Sequence, residues 1–298
     1  MNFYNKPIIS FDYAIKYLLR HKKDYEIIEG FLSALLKAYG YKDVKIRALL
    51  DPESNKENKD LKRSIADLLV EDEDHNQYII EIERTAAKHF VHKACFNSSR
   101  LVIDSLSTDQ SYTNIKKIFH ISLLYFIPKD VQSTLTHAKC VLYEKDDQHS
   151  GNLRIIDNSP LAHVAQNVFP EYFFISVPLF NDEVRQELDE WLYVMKHTKV
   201  REDFKSKVMQ LVAERLSVLK MEDDERTEYF KYQKDRTSAD DQITTSYEEG
   251  IEKGIAKGKA EGKAEIAKAM LAEGIDILTI TKITGLSEDA INNLKEGE

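Results

Sequence analysis

Two short stretches carry the residue types on which phosphodiester chemistry depends. Ser64-Ile65-Ala66-Asp67-Leu68-Leu69-Val70 is followed, after an acidic turn, by Gln77-Tyr78-Ile79-Ile80-Glu81-Ile82-Glu83. Side chains alternate along a strand, so Tyr78, Ile80 and Ile82 share one face of the second stretch and Gln77, Ile79, Glu81 and Glu83 the other. A hairpin turning through Asp72 to Asn76 pairs position 71 with 77, Leu69 with Ile79 and Asp67 with Glu81, all on that second face. Opposed β-carbons lie about 5 Å apart, and opposed like charges destabilise a sheet unless something compensates. A divalent cation compensates. Mg²⁺ or Mn²⁺ prefers carboxylate oxygens with open water positions, where it both activates water and stabilises charge on a phosphodiester. The alternative is that these acids line a wet face of an amphipathic sheet.

The residues that follow reverse the sign. Between Glu83 and Asp104 there is no acidic side chain, while Arg84, Lys88, His89, His92, Lys93 and Arg100 occur. A positive helix beside an acidic cluster accommodates a metal site and a phosphate backbone together, which makes Arg84, Lys88 and Lys93 candidate phosphate or DNA contacts. His89 and His92, three apart, lack the third ligand of a zinc site.

The elements that must position these groups follow from periodicity. Phe11 to Tyr39 reads as helix, with Ser10 as N-cap, Gly40 as C-terminal stop and Gly30 as a point of division. Three strands are expected over Val44–Leu50, Ser64–Val70 and Gln77–Glu83, then a helix over Arg84–Ser105 and a buried strand over Ile118–Ile127 ended by Pro128. Ala138–Tyr143 and Tyr172–Val177 read as further strands. Val184 to Tyr232 reads as helical, with Trp191 as a core anchor.

The last fifth differs in texture. Gly250, Gly254, Gly258 and Gly262 recur at every fourth position, which lines them up on nearly one helix face. Such a face permits close approach of a second helix, and each glycine costs about 1 kcal/mol of helix propensity against alanine. Self-association and a solvated, partly frayed linker are the two readings. Glu265–Leu271, Ile277–Thr284 and Ser287–Leu294 form three short helical segments spaced like a helix-turn-helix. The last carries Glu288, Asp289 and Glu296 against Lys295, a surface suited to packing or assembly rather than to phosphates. The expected domains are 1–182, 183–243 and 244–298.

Composition bounds the whole. The 298 residues carry 42 Lys+Arg against 51 Asp+Glu, a formal charge of −9, so the chain is not uniformly basic as dedicated nucleic-acid binders are. No apolar run approaches the roughly 20 residues of a membrane helix, and Met1 to Pro7 lacks a secretory pattern. Cys95 and Cys140, far apart, read as buried thiols in a reducing, cytoplasmic setting.

Helix, three strands with Asp on the second and Glu-x-(Lys/Gln/Glu) on the third, helix, strand resembles the PD-(D/E)XK restriction-endonuclease-like α/β core, a central mixed sheet flanked by helices. More closely, the chain resembles the Rpn family of recombination-promoting nucleases, also labelled PD-(D/E)XK transposases. The elements that carry the resemblance are Phe11-Asp12-Tyr13-Ala14-Ile15-Lys16, Lys62-Arg63-Ser64-Ile65-Ala66-Asp67, Ile80-Glu81-Ile82-Glu83, Tyr112, Glu190-Trp191-Leu192-Tyr193, and the tail with Ile283-Thr284-Gly285-Leu286. The resemblance implies a metal-dependent DNA endonuclease linked to recombination or mobile elements, using Mg²⁺ or, in its place, Mn²⁺ or Ca²⁺. It implies DNA as partner and Asp67 and Glu81 as metal ligands, with Glu83 completing the catalytic set; the tail adds a homo-oligomer. Ala66 replaces the motif's proline, and Glu83 stands where the superfamily usually has Lys and this family often Gln. A lysine there orients water and stabilises negative charge, whereas Glu83 acts only as ligand or base. Lys88 or Lys93 is the candidate for the missing charge. The other reading is an inactive descendant that keeps the fold for DNA binding or assembly. Asp12 and Lys16 match the family's first-helix signature, at the site edge or on the helix surface.

Overall fold

The computed structural model of the chain describes residues 4–15, 25–50, 67–86, 88–106, 109–145, 153–156 and 159–296. Lys16, the 16–24 part of the expected first helix, and Lys62 through Ala66 lie outside the described residues. The chain divides into two compact units, Met1–Glu222 and Asp223–Glu298.

The first unit opens with α1 (Phe11–Tyr13) and α2 (Tyr25–Lys37), followed by β1 (Ile46–Leu49), β2 (Leu68–Asp72) and β3 (Gln77–Glu83). Next come α3 (Phe90–Asp104), β4 (Ile118–Leu124), β5 (Leu135–Ala138), β6 (Leu142–Lys145) and β7 (Leu153–Ile156). It closes with α4 (Pro160–Val168), β8 (Glu171–Ser176), α5 (Glu187–His197) and α6 (Lys207–Arg215). Six strands form one mixed sheet in the order β1-β2-β3-β4-β8-β5, and β6 and β7 pair separately. β3, β4 and β8 run parallel in the middle, with antiparallel strands outside them. β4 is buried along its whole length, as a central strand covered on both faces must be.

One face of the sheet bears Tyr78, Phe119 and Phe173. Tyr41 packs edge-on against Phe119 at 5.1 Å and Tyr39 against Phe173 at 5.1 Å, bringing the end of α2 onto this side. Phe11, Phe31 and the fully buried Trp191 form a second aromatic cluster, confirming the core reading of the tryptophan. Gly30 does not divide the helix as expected, since α2 runs through it. A β-carbon at Gly30 would lie 2.6 Å from Val208 Cγ1 and 3.2 Å from Trp191 Cζ2, so this glycine answers to close packing and not to a break.

Several boundaries shift for identifiable reasons. α3 begins at Phe90 and not at Arg84, because the Glu83 carbonyl still accepts the Tyr125 amide at 2.8 Å and keeps the chain extended. β4 stops at Leu124, short of Ile127. The expected strand Ala138–Tyr143 is two strand ends with different partners, β5 on β8 and β6 on β7. Between Thr134 and Leu179, where the sequence leaves room for two or three strands, β7 is one more than the two named, and α4 is a helix without a counterpart in the expected elements. Val184–Tyr232 separates into α5, α6 and a 3-10 turn at Val218–Lys220 before the next helix. Cys95 and Cys140 are free, but Cys95 is exposed and Cys140 half-exposed, so neither is the buried thiol expected.

The second unit is helical. α7 (Asp223–Ala272) is 50 residues long and leads into α8 (Ile277–Thr284) and α9 (Glu288–Glu296). Glu265–Leu271 is therefore the end of one long helix. Ala267, Ile280 and Ile291, all fully buried, bring the end of α7 together with α8 and α9, flanked by Met270, Leu271, Ile275 and Leu286. Asp276 caps α8 by accepting the Thr279 amide at 3.0 Å, and Gly285 at φ +68° supplies the turn into α9. Among the described residues, and apart from the helix's own backbone, nothing lies within 4 Å of where a β-carbon would sit on Gly250, Gly254, Gly258 or Gly262. Among the described residues, no helix is long and apolar enough to cross a membrane.

Candidate active site

The hairpin that carries the acids has the expected register. Leu69 pairs with Ile79 and Glu71 with Gln77, so the next position along that face sets Asp67 beside Glu81. Asp72 closes the turn, accepting the Asn76 amide at 2.8 Å and the Tyr78 hydroxyl at 2.7 Å, while His75 takes the left-handed conformation at φ 65°. A buried carboxylate that satisfies both the turn and the neighbouring strand fixes the register, and a slip of one residue would send Glu81 to the other face.

Asp67 lies just ahead of β2, and its Oδ2 accepts the Ile82 backbone amide at 2.7 Å. This hydrogen bond ties the first acid to the strand of the second, between Glu81 and Glu83. Glu81 is only 1% exposed, which rules out the wet-face alternative at its position. The cover is α3, whose Ala94, Asn97 and Ser98 are its buried residues. The Asn97 side-chain amide donates to Glu81 Oε1. Further along α3, Leu101 and Val102 pack on Leu69, Ile79 and Ile118, so the helix is seated by apolar contacts on the turn side of the acids.

Lys93 reaches the site from α3. Its ammonium stands 2.6 Å from Glu83 Oε1 and 3.6 Å from Glu81 Oε2. Burial works against its charge, but Glu83, Glu81 and Asp67 outweigh burial and raise its pKa above the ordinary lysine value. Burial alone would likewise raise the Glu81 pKa; the His120 ring, the Lys93 ammonium and the Asn97 amide together hold it below the usual carboxylate value. The site is thus a set of carboxylates with one ammonium among them.

The other basic candidates fare differently. Arg84 turns inward: its Nε lies 3.0 Å and its Nη2 2.5 Å from Asp12 Oδ2, and its guanidinium covers the Tyr125 ring at 4.2 Å. Asp12 is fully buried, which excludes the helix-surface role. Arg84 serves this pair. Lys88 lies exposed ahead of α3. His89 and His92 stack edge-on at 5.6 Å on the exposed side, and among the described residues no three His, Cys, Asp or Glu converge on a metal position. Arg100 pairs with Asp104 one turn on.

Three residues of the site escaped the sequence reading. Asn97 and Ser98 are the inward face of α3, and His120 is fully buried on β4 in the register that follows Ile79. Strand parity contains the signal: in Ile118 to Leu124 the two polar residues, His120 and Ser122, both fall on the face of Glu81.

Residues 9–246 match the family model described as PD-(D/E)XK nuclease family transposase, a span that includes Asp67, Glu81, Glu83 and Lys93. Residues 260–296 match the model described as Rpn/YhgA-like nuclease family, C-terminal HTH domain, which covers the end of α7 with α8 and α9. No curated protein and no solved structure matches the chain.

Proposed function

The chain belongs to the PD-(D/E)XK nuclease family transposases, and from that premise we propose that it is a metal-dependent DNA endonuclease whose missing strand lysine is supplied by Lys93. The donor set suits a hard divalent cation. Mg²⁺ is characteristically held by one or two carboxylates, the rest of its shell being water and substrate phosphate, and Asp67 beside Glu81 is such a pair. Mn²⁺ takes the same oxygens. When bound, the ion supplies an acidified water and a counter-charge for the phosphodiester.

The chain's own residues do the rest. The Ile82 amide and the Asn97 side chain hold the two carboxylates in place before substrate arrives. Lys93 supplies the positive charge that Glu83 cannot, donating to phosphate oxygen as negative charge builds. Glu83 anchors that ammonium and serves as the base for a proton released by the attacking water. Lys88, exposed ahead of α3, contacts the phosphate backbone further out.

The observation that carries this reading is the Lys93 ammonium 2.6 Å from Glu83 and 3.6 Å from Glu81. Its test is plasmid cleavage with and without Mg²⁺ or Mn²⁺, alongside Asp67→Ala and Glu81→Ala. Cleavage only with metal, lost in both variants, supports it; cleavage retained in both rejects these carboxylates as the metal ligands, and cleavage absent from the wild type rejects the reading in favour of an inactive descendant. The glycine row of α7, exposed at Gly250, Gly254 and Gly258, belongs to the same proposal as a homo-oligomer contact, and an unchanged solution mass per chain after removal of residues 248–298 would reject that part. The two free cysteines suit a cytoplasmic setting.

A further inference from the structure

His120 lies directly beneath the candidate site, yet the hydrolytic reading gives it no task. It sits on β4, fully buried, with Nδ1 3.2 Å from the Ser98 hydroxyl of α3 and Nε2 3.5 Å from Glu81 Oε2. The Nε2 atom makes no hydrogen bond among the described residues. Tyr172 of β8 closes the far side of the ring at 5.9 Å. A polar ring enclosed between strand and helix costs free energy unless its nitrogens have a purpose, so an Nε2 that faces a carboxylate, while Nδ1 is taken by Ser98, is a directed contact.

With the Ser98 hydroxyl donating to Nδ1, the ring proton sits on Nε2 and faces Glu81 Oε2. Asn97 already donates to the other oxygen, Oε1. Glu81 is thereby addressed from two sides by two elements, α3 and β4. We infer that His120 is a positioning residue that, with Asn97, locks the Glu81 carboxylate in the rotamer that serves the cation. The inference rests on the hydrolase reading above and extends it from the groups at the reacting face to the group behind them. Groups that orient a ligand from behind change metal affinity by about 10- to 100-fold when removed.

The test is direct titration of the full-length protein with Mn²⁺ in the absence of DNA, comparing wild type, Glu81→Ala, His120→Phe, His120→Gln and Ser98→Ala, with thermal melting of each. Wild type binding Mn²⁺ more tightly than Glu81→Ala establishes the metal site independently of His120. The expected result is then a loss of about tenfold or more in affinity for His120→Phe, recovery for His120→Gln, whose amide restores a donor, and a smaller loss for Ser98→Ala. His120→Phe binding Mn²⁺ as tightly as wild type overturns the inference while leaving the metal site standing. Wild type and Glu81→Ala binding alike overturns the hydrolase reading and this inference with it. If both His120 variants melt below the assay temperature, Ser98→Ala decides, because it leaves the ring in place: unchanged affinity there overturns the inference.

Discussion

The ammonium of Lys93, in the first turn of α3, stands 2.6 Å from the carboxylate of Glu83 at the end of β3. On the proposed reading, the charge that a strand lysine would bring comes from the helix packed over the strand, beside Glu83 Oε1 and Glu81 Oε2.

Lys93→Ala should therefore remove transition-state stabilisation without removing the carboxylates. The expected outcome is a fall of about 10²- to 10³-fold in the cleavage rate, the scale seen when one preorganised donor is deleted. Mn²⁺ affinity should hold or rise, since an ammonium competing for Glu83 and Glu81 is gone. Initial rates on supercoiled plasmid and a binding titration check the two halves separately; an unchanged rate would show that Lys93 is only a counter-ion.

Arg84→Ala should act on stability and not on DNA. Its guanidinium is the ion-pair partner of a fully buried carboxylate, Asp12, and breaking such a pair from one side costs about 3–5 kcal/mol. Denaturant unfolding should show this loss, while DNA affinity of the protein that remains folded should match wild type.

A second buried pair gives the pH dependence. Glu171, 2% exposed, accepts from Lys117 at 2.8 Å and from the Tyr41 hydroxyl at 2.5 Å, with His137 Nε2 at 2.8 Å on its other oxygen. Burial tends to raise its pKa, but Lys117, Tyr41 and His137 outweigh burial and bring it below the ordinary value of 4.5. A depressed carboxylate stabilises the fold fully above its unfolded pKa and loses that contribution as pH falls through its folded one. Glu171→Gln should cost about 3–5 kcal/mol at neutral pH by removing the carboxylate from the buried Lys117 ammonium, which keeps only neutral acceptors such as the Gln166 and Phe169 carbonyls. The gap from wild type should narrow below the ordinary carboxylate value, as chemical denaturation at several pH values would reveal.

Gly30→Ala sets two magnitudes against each other. Alanine in a helix gains about 1 kcal/mol of propensity over glycine, but its β-carbon would stand 2.6 Å from Val208 Cγ1, and overpacking costs about 1–3 kcal/mol. The expected net effect is destabilising, with Gly30→Leu worse; urea midpoints decide, and a stabilised alanine variant would mean that α6 yields.

The strand pair was legible in the sequence because its information is local: alternation gave the faces of β3, and an acidic turn of fixed length gave the register that pairs Leu69 with Ile79. Trp191 was legible as core for its size alone. What could not be read was anything requiring one element to be laid on another. Arg84 and Lys93 look alike as basic residues after the same strand, yet one turns to Asp12 and the other to Glu83, because the chain stays extended past Glu83 before α3 begins. Gly30 looked like a break because its reason, the approach of Val208 and Trp191, lies in helices far along the chain. Ala138–Tyr143 looked like one strand because nothing local says that its two ends find different partners.

The cover that α3 lays over β3 also bears on how such chains are told apart. A candidate centre closed from a helix cannot be spelled as one contiguous string: Lys93 falls 10 positions after Glu83, and Asn97 falls 16 after Glu81. A homologue with Glu at the last motif position would be discarded as a dead copy if judged on the strand alone. Judged on a lysine and an asparagine one helical turn apart at those offsets, it would be kept, and lineages that have truly lost the reaction would be the ones in which that downstream couple has decayed.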